Sequence, residues 1–130
     1  MSPKFLEFLL EVLVNGARID GAADASERDE IVKIMTEVKG APFERAQVDL
    51  RLELATLTRE DLCAYLGRAG VHFSEEERKT VLRGLVRVIA ADGRLDAAES
   101  AALVGYIEAI GFSHGPSALD MIMQPFRNAV

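Results

Sequence analysis

One cysteine in 130 residues excludes an internal disulfide framework, and Cys63 has no second cysteine for a thiolate zinc cluster. The two histidines, His72 and His114, stand apart and lack the HExxH spacing of a helical zinc site. Positive charge is also short. Fifteen Lys and Arg against 21 Asp and Glu leave a net charge of −6. Domains that hold nucleic-acid phosphates or anionic membranes carry clustered cations instead, so both classes of partner are excluded. No apolar run is long. Glu7 and Glu11 interrupt Met1 to Val14 at helical spacing, which suits neither a signal-peptide core nor a spanning helix of about 20 residues. A cytoplasmic location is expected by default. The length fits one domain over residues 1–130, able to bury roughly two-thirds of its unfolded surface.

What the chain has is helical periodicity. Phe5, Leu9 and Leu13 form one stripe, flanked by Leu6, Leu10 and Val14. Val48, Leu52 and Ala55 recur on one face, and Leu50, Leu54 and Leu57 on the next. Further stripes run through Leu62, Tyr65, Leu66 and Ala69, through Leu82, Leu85 and Ile89, and through Leu103, Ile107 and Ile110. Ser74 to Glu77 reads as a capping box, and Thr58 to Asp61 as a similar start. Gly40, Gly70 and Gly111 each follow a periodic segment, where a left-handed residue can close a helix. Pro42 and Pro116 suit first-turn positions, and Pro125 ends or kinks the last helix. These signals predict helices over 3–19, 24–39, 43–56, 59–70, 75–91, 97–111 and 116–124. The fold expected is an all-α bundle of about seven helices with short loops.

An internal repeat organises that bundle. Asp20-Gly21-Ala22-Ala23-Asp24-Ala25-Ser26-Glu27 and Asp92-Gly93-Arg94-Leu95-Asp96-Ala97-Ala98-Glu99 both read DGxxDxxE, 72 positions apart. The flanking apolar positions keep the same offset. Leu10, Leu13 and Val14 correspond to Leu82, Leu85 and Val86, and Ile31, Met35 and Val38 to Leu103, Ile107 and Ile110. Residues 3–39 and 75–111 are therefore expected to be one repeated unit of helix, acidic turn and helix.

Two readings of the turn stay open. In the structural one, Gly21 and Gly93 close a helix, and Asp24 and Asp96 cap the next with Glu27 and Glu99 completing capping boxes. Asp20 and Asp92 are left over. Each stands at a helix C-terminus, where the macrodipole penalises an anion by roughly 0.3–1 kcal/mol. In the second reading the turns hold a divalent cation, since carboxylates are hard ligands suited to Ca2+, Mg2+ or Mn2+. The segment resembles the second half of an EF-hand loop, but Val88 and Ala90, or Gly16 and Arg18, stand where that loop needs oxygen side chains. One turn offers three carboxylates, too few for the roughly six to eight oxygens of a calcium cage. Asp20, Asp24, Glu27, Asp92, Asp96 and Glu99 together would supply six.

Two such turns in a small acidic helical chain resemble the tellurite-resistance TerB-like family. The stretch VIAADGRLDAAESAALVGYIEAIGF, Val88 to Phe112, is similar to the family's second acidic motif and following helix, and the resemblance runs from about Phe5 to Phe112. It implies a bundle of about seven helices with internal pseudo-symmetry, in a bacterial stress-response setting with other stress-response proteins as partners. It also implies metal or partner binding at the six acidic positions named above. The first copy departs from the pattern, with Asn15-Gly16 interrupting its leading helix and Ala23 in place of Leu95.

Outside the turns the residues read as structural. Cys63 shares a stripe with Leu62 and Leu66 and is expected to be buried and chemically quiet. His72 belongs to a loop or cap, His114 to a turn, and Met121 and Met123 to core filler on the last helix. Glu75, Glu76 and Glu77 form a solvated first turn, and Arg83 and Arg87 pair with surface carboxylates. Two function classes follow. One is a non-enzymatic stress-associated module that binds a divalent cation or a basic partner through its turns. The other is a carboxylate-metal-dependent hydrolase of helical fold, for which the sequence offers no base, nucleophile or phosphate-cradling loop. Binding is the favoured class.

Overall fold

The chain is described by a computed structural model over residues 2–19, 23–91, 93 and 97–112. Six helices occupy those residues: α1 (Pro3–Arg18), α2 (Ala25–Lys39), α3 (Arg45–Leu54), α4 (Arg59–Gly70), α5 (Glu75–Ile89) and α6 (Ala97–Ala109). There is no strand among the described residues. The helix expected over 116–124, with His114, Met121 and Met123, lies outside them.

Local chemistry sets the boundaries. Ser2 caps α1 by accepting from the Phe5 N–H at 3.2 Å, with Pro3 in the first turn. Asp24 with Glu27, Thr58 with Asp61, and Ser74 with Glu77 form complete capping boxes at the starts of α2, α4 and α5. Gly40 and Gly111 close α2 and α6 at φ 74° and 108°, as the sequence predicts. Gly70 does not. Its helix ends with Val71 in right-handed geometry, and a Cβ at Gly70 would stand 3.0 Å from Ile110 Cγ1. It is glycine so that α4 and the end of α6 can approach.

The helix expected over 43–56 is shorter at both ends. The Phe43 N–H donates to Thr36 Oγ1 at 3.3 Å, which keeps Pro42 to Glu44 outside the helix, so Pro42 is not in its first turn. Of the two candidate stripes on α3, Val48 and Leu52 are buried, while Leu50 and Leu54 remain 57% and 65% exposed.

The core is built around α1. Ten of its residues are buried, as expected for a helix packed on all sides. It packs most extensively on α5, while α2 covers both, α3 crosses α1 and α2, and α4 bridges α1 and α6. Two leucine–glycine contacts bring α1 and α5 together. A Cβ on Gly16 would meet Leu85 Cδ2 at 2.6 Å, and one on Gly84 would meet Leu13 Cδ2 at 3.1 Å. Leu13 and Leu85 are equivalent positions of the repeat, but the glycines they meet are not, since Val88 stands where the second copy would repeat Gly16 and Val12 where the first would repeat Gly84. The helix starts keep the repeat too: Pro3 and Glu75, and Ala25 and Ala97, are each 72 positions apart.

The expected interruption at Asn15-Gly16 is absent, because α1 runs unbroken through both. Asn15 is fully buried and bonded at both ends of its amide. Nδ2 donates to the Glu11 carbonyl at 2.8 Å and to Glu11 Oε1 at 2.9 Å, while Oδ1 accepts from the Leu57 N–H at 3.0 Å. Phe73, on the turn between α4 and α5, stacks on Phe8 at 4.7 Å and meets Phe5 edge-on at 5.6 Å.

Candidate functional site

The first acidic turn leads into the capped start of α2. Asp24 Oδ1 accepts from the Glu27 N–H at 2.8 Å, and Glu27 Oε1 accepts from the Asp24 N–H at 3.2 Å. The structure thus brings Asp24 and Glu27 together, in the arrangement that capping predicts. Arg28 braces the same turn, with Nε donating to the Ala23 carbonyl at 3.1 Å and Nη1 to Asp49 Oδ1 at 2.7 Å. The hydrogen bond from Arg28, aided by Arg45, holds the Asp49 carboxyl below its usual range. Neither Arg28 nor Asp49 carries a sequence signal, because their contact spans 21 positions between helices.

In the second turn, Gly93 adopts φ 86°, the left-handed geometry expected of it. Glu99 lies in the first turn of α6 and is half-buried. Asp20, Asp92 and Asp96 lie outside the described residues. Among the described residues no group of three or more His, Cys, Asp or Glu side chains could hold a metal ion. A metal centre on these turns would therefore draw on Asp20, Asp92 or Asp96.

Arg87 ties the two copies together. Its Nε donates to Glu30 Oε1 at 2.8 Å, and its Nη1 and Nη2 reach Glu37 at 2.8 and 3.2 Å. The bidentate bond holds the Glu37 carboxyl below its usual range. Glu30 lies one turn beyond Glu27, and Arg87 stands two residues before the end of α5. The middle and last turn of α2 are thereby tied to the end of the helix that feeds the second acidic turn. Arg83, its expected companion, is exposed and takes no part.

The model of the family described as "Tellurite resistance protein TerB" matches residues 8–120. The chain belongs to the TerB family. No curated protein and no solved structure matches it. The TerB match spans both acidic turns, and the helical architecture of the described residues agrees with it. No described helix is long and apolar enough to cross a membrane.

The remaining candidates lie away from the turns. His72 is exposed between α4 and α5. Cys63 is half-buried rather than buried, packed against the core on α4. Burial pushes its thiol up, against a smaller opposing pull from Arg59. The thiolate is the reacting species, so a thiol reagent should modify the native protein at least tenfold more slowly than the urea-denatured chain at the same pH. Equal rates would show that α4 exposes this face.

Proposed function

We propose that this TerB-family chain is a non-enzymatic module in which the paired acidic turns bind a divalent cation, Ca2+, Mg2+ or Mn2+. Asp20, Asp24, Glu27, Asp92, Asp96 and Glu99 are its donors. The observation that carries this reading is the leading aspartate of each turn. Capping accounts for Asp24 and Glu27 in detail, and the same chemistry leaves Asp20 and Asp92 without a role just past the ends of α1 and α5. A carboxylate there opposes the helix dipole and calls for a cation. The donor chemistry fits, because carboxylate oxygens suit hard divalent ions and Asp24 commits only one of its two oxygens to the cap. The binding class is favoured over a hydrolase because the described nucleophile and base candidates, Cys63 and His72, belong to α4 and the loop after it.

A ligand that binds only the folded state stabilises it by about 2.7 kcal/mol at a hundredfold excess over its dissociation constant. Thermal melts in millimolar Ca2+, Mg2+ or Mn2+ are therefore expected to rise above melts in chelator. Asp92→Asn should diminish that rise. Asp24→Ala is a poorer probe, since it also removes a cap worth about 1 kcal/mol. No shift with any of the three metals, and no heat on calorimetric titration, would overturn the cation reading. The turns would then stand as docking surface for a basic partner of the stress response.

A further inference from the structure

The outer side of α3 is apolar. Among the described residues three large hydrophobic side chains are exposed, and two of them, Leu50 and Leu54, stand one turn apart on this helix. Two residues of an α-helix turn through about 200°, so Leu50 points away from the buried Val48 and Leu52 on either side of it. Ala46 lies one turn before it on the same outer ridge. Exposed leucines on adjoining turns form a patch, the mark of an interaction surface, rather than scattered single residues.

Ion pairs hold both flanks of this ridge. Toward α1, Arg51 bonds Glu7 at 2.7 Å and also Glu11. Toward α2, Asp49 accepts from Arg28 and Arg45, and Arg45 also holds Asp29. Glu53, the remaining charge on α3, takes part in none of these pairs. A hollow of about 340 Å3 opens between the ridge and α1, lined by Leu6, Leu10, Met35, Phe43, Gln47 and Leu50. Leu54 stands seven positions beyond Gln47, on the same flank of the helix. One ridge thus carries both a knob and a hole.

We propose that this face is a two-fold interface between two copies of the chain, with α3 packed antiparallel on α3. In such a pair each flank meets the same flank of the other copy, run in reverse. With Leu50 on the axis, Leu54 of one copy comes level with the other copy's Ala46, beside Gln47 at the mouth of the hollow. The small Ala46 side chain leaves room for it. On the opposite flank each Glu53 comes within one turn of the other copy's Arg45, so unlike charges meet at both ends of the ridge. A parallel pair would set Glu53 beside Glu53 and carry each leucine knob away from the hole. A face of ten helical residues falls short of the roughly 1,200–2,000 Å2 of a standard stable interface. The pair is therefore transient, with a dissociation constant on the order of 100 μM.

Sedimentation equilibrium of the full chain from about 10 μM to about 2 mM should show the mean mass rising from one chain toward two. Leu50→Asp, outside the buried core, should keep the chain monomeric throughout without lowering its Tm in dilute solution. Glu53→Arg should weaken association at least about threefold, and most at low salt. Disulfide trapping tests the register. In a Cys63→Ala background, Leu50→Cys brings two thiols to the axis. Leu54→Cys leaves them about 12 Å apart along the helices, beyond the roughly 7 Å reach between the Cα atoms of a disulfide. The first variant should cross-link at least about tenfold faster under mild oxidation. A single-chain mass at every concentration would overturn the proposal. Association that survives Leu50→Asp would do the same, by placing the contact on another face. So would equal cross-linking rates, which report random collision or another register. None of these readouts depends on metal.

Discussion

Asn15→Ala is expected to lower stability by about 2–3 kcal/mol, read as a fall of roughly 6–12 °C in Tm for a chain of this size. The Leu57 N–H would lose its acceptor, the Asn15 amide oxygen, on the stretch that joins α3 to α4. An orphaned buried donor costs about 1–3 kcal/mol by itself, and the void left at a fully buried position adds to it. Asn15→Asp separates the amide's two functions. The aspartate keeps an acceptor for Leu57 but loses the donors to Glu11 and sets a buried charge beside that carboxylate. Its carboxyl would titrate higher in the folded than in the unfolded state, so the protonated form is the stabilising one. Its stability relative to the parent should be full below about pH 3.9 and lost as pH rises through the raised folded value. A variant equally stable at pH 4 and pH 7, measured against the parent at each, would show that the position is not closed to water.

The contrast between Asn15 and the capping boxes shows what a sequence reveals. Asp24 with Glu27, Thr58 with Asp61 and Ser74 with Glu77 are local pairs, three residues apart, and their chemistry is complete within one turn. Their helices therefore begin where the sequence places them. Asn15 reads locally as a helix breaker, and its partner Leu57 lies 42 positions away. Its place in the repeat carried an unused signal. Asn15 and Arg87 are 72 positions apart, so the same position of each copy holds a polar brace to another segment. On α3 the failure has another cause. Two adjacent stripes are both apolar, and periodicity alone does not choose between Val48 with Leu52 and Leu50 with Leu54. Packing against α1 and α2 makes that choice. At the acidic turns, the caps Asp24 and Glu27 were legible as local chemistry. The brace by Arg28 and Arg87 was not, because interhelical contacts decide it.

Gly84→Leu is expected to cost about 3 kcal/mol, because the new side chain enters the place where three helices meet. A Cβ at Gly84 already stands 3.1 Å from Leu13 Cδ2 and 3.7 Å from both Ile34 Cγ2 and Leu9 Cδ1. Branched carbons beyond it have nowhere to go unless α1 moves off α5, and overpacking of a close-packed core typically costs 1–3 kcal/mol, sometimes more. Gly84→Ala is different. It gains about 1 kcal/mol of helix propensity, and a shift of Leu13 by a few tenths of an ångström offsets that gain, leaving a change near zero. The decisive comparison is the double variant Gly84→Leu with Leu13→Ala, measured by urea denaturation. Leu13→Ala alone should cost about 2–5 kcal/mol by opening a cavity at a fully buried site. Combined, the larger residue on α5 occupies the space vacated on α1, so the double variant should be more stable than the two losses added together by at least about 1 kcal/mol. Simple additivity would mean that Gly84 and Leu13 do not share one packing site, and that the close approach of α1 and α5 is not what requires glycine there.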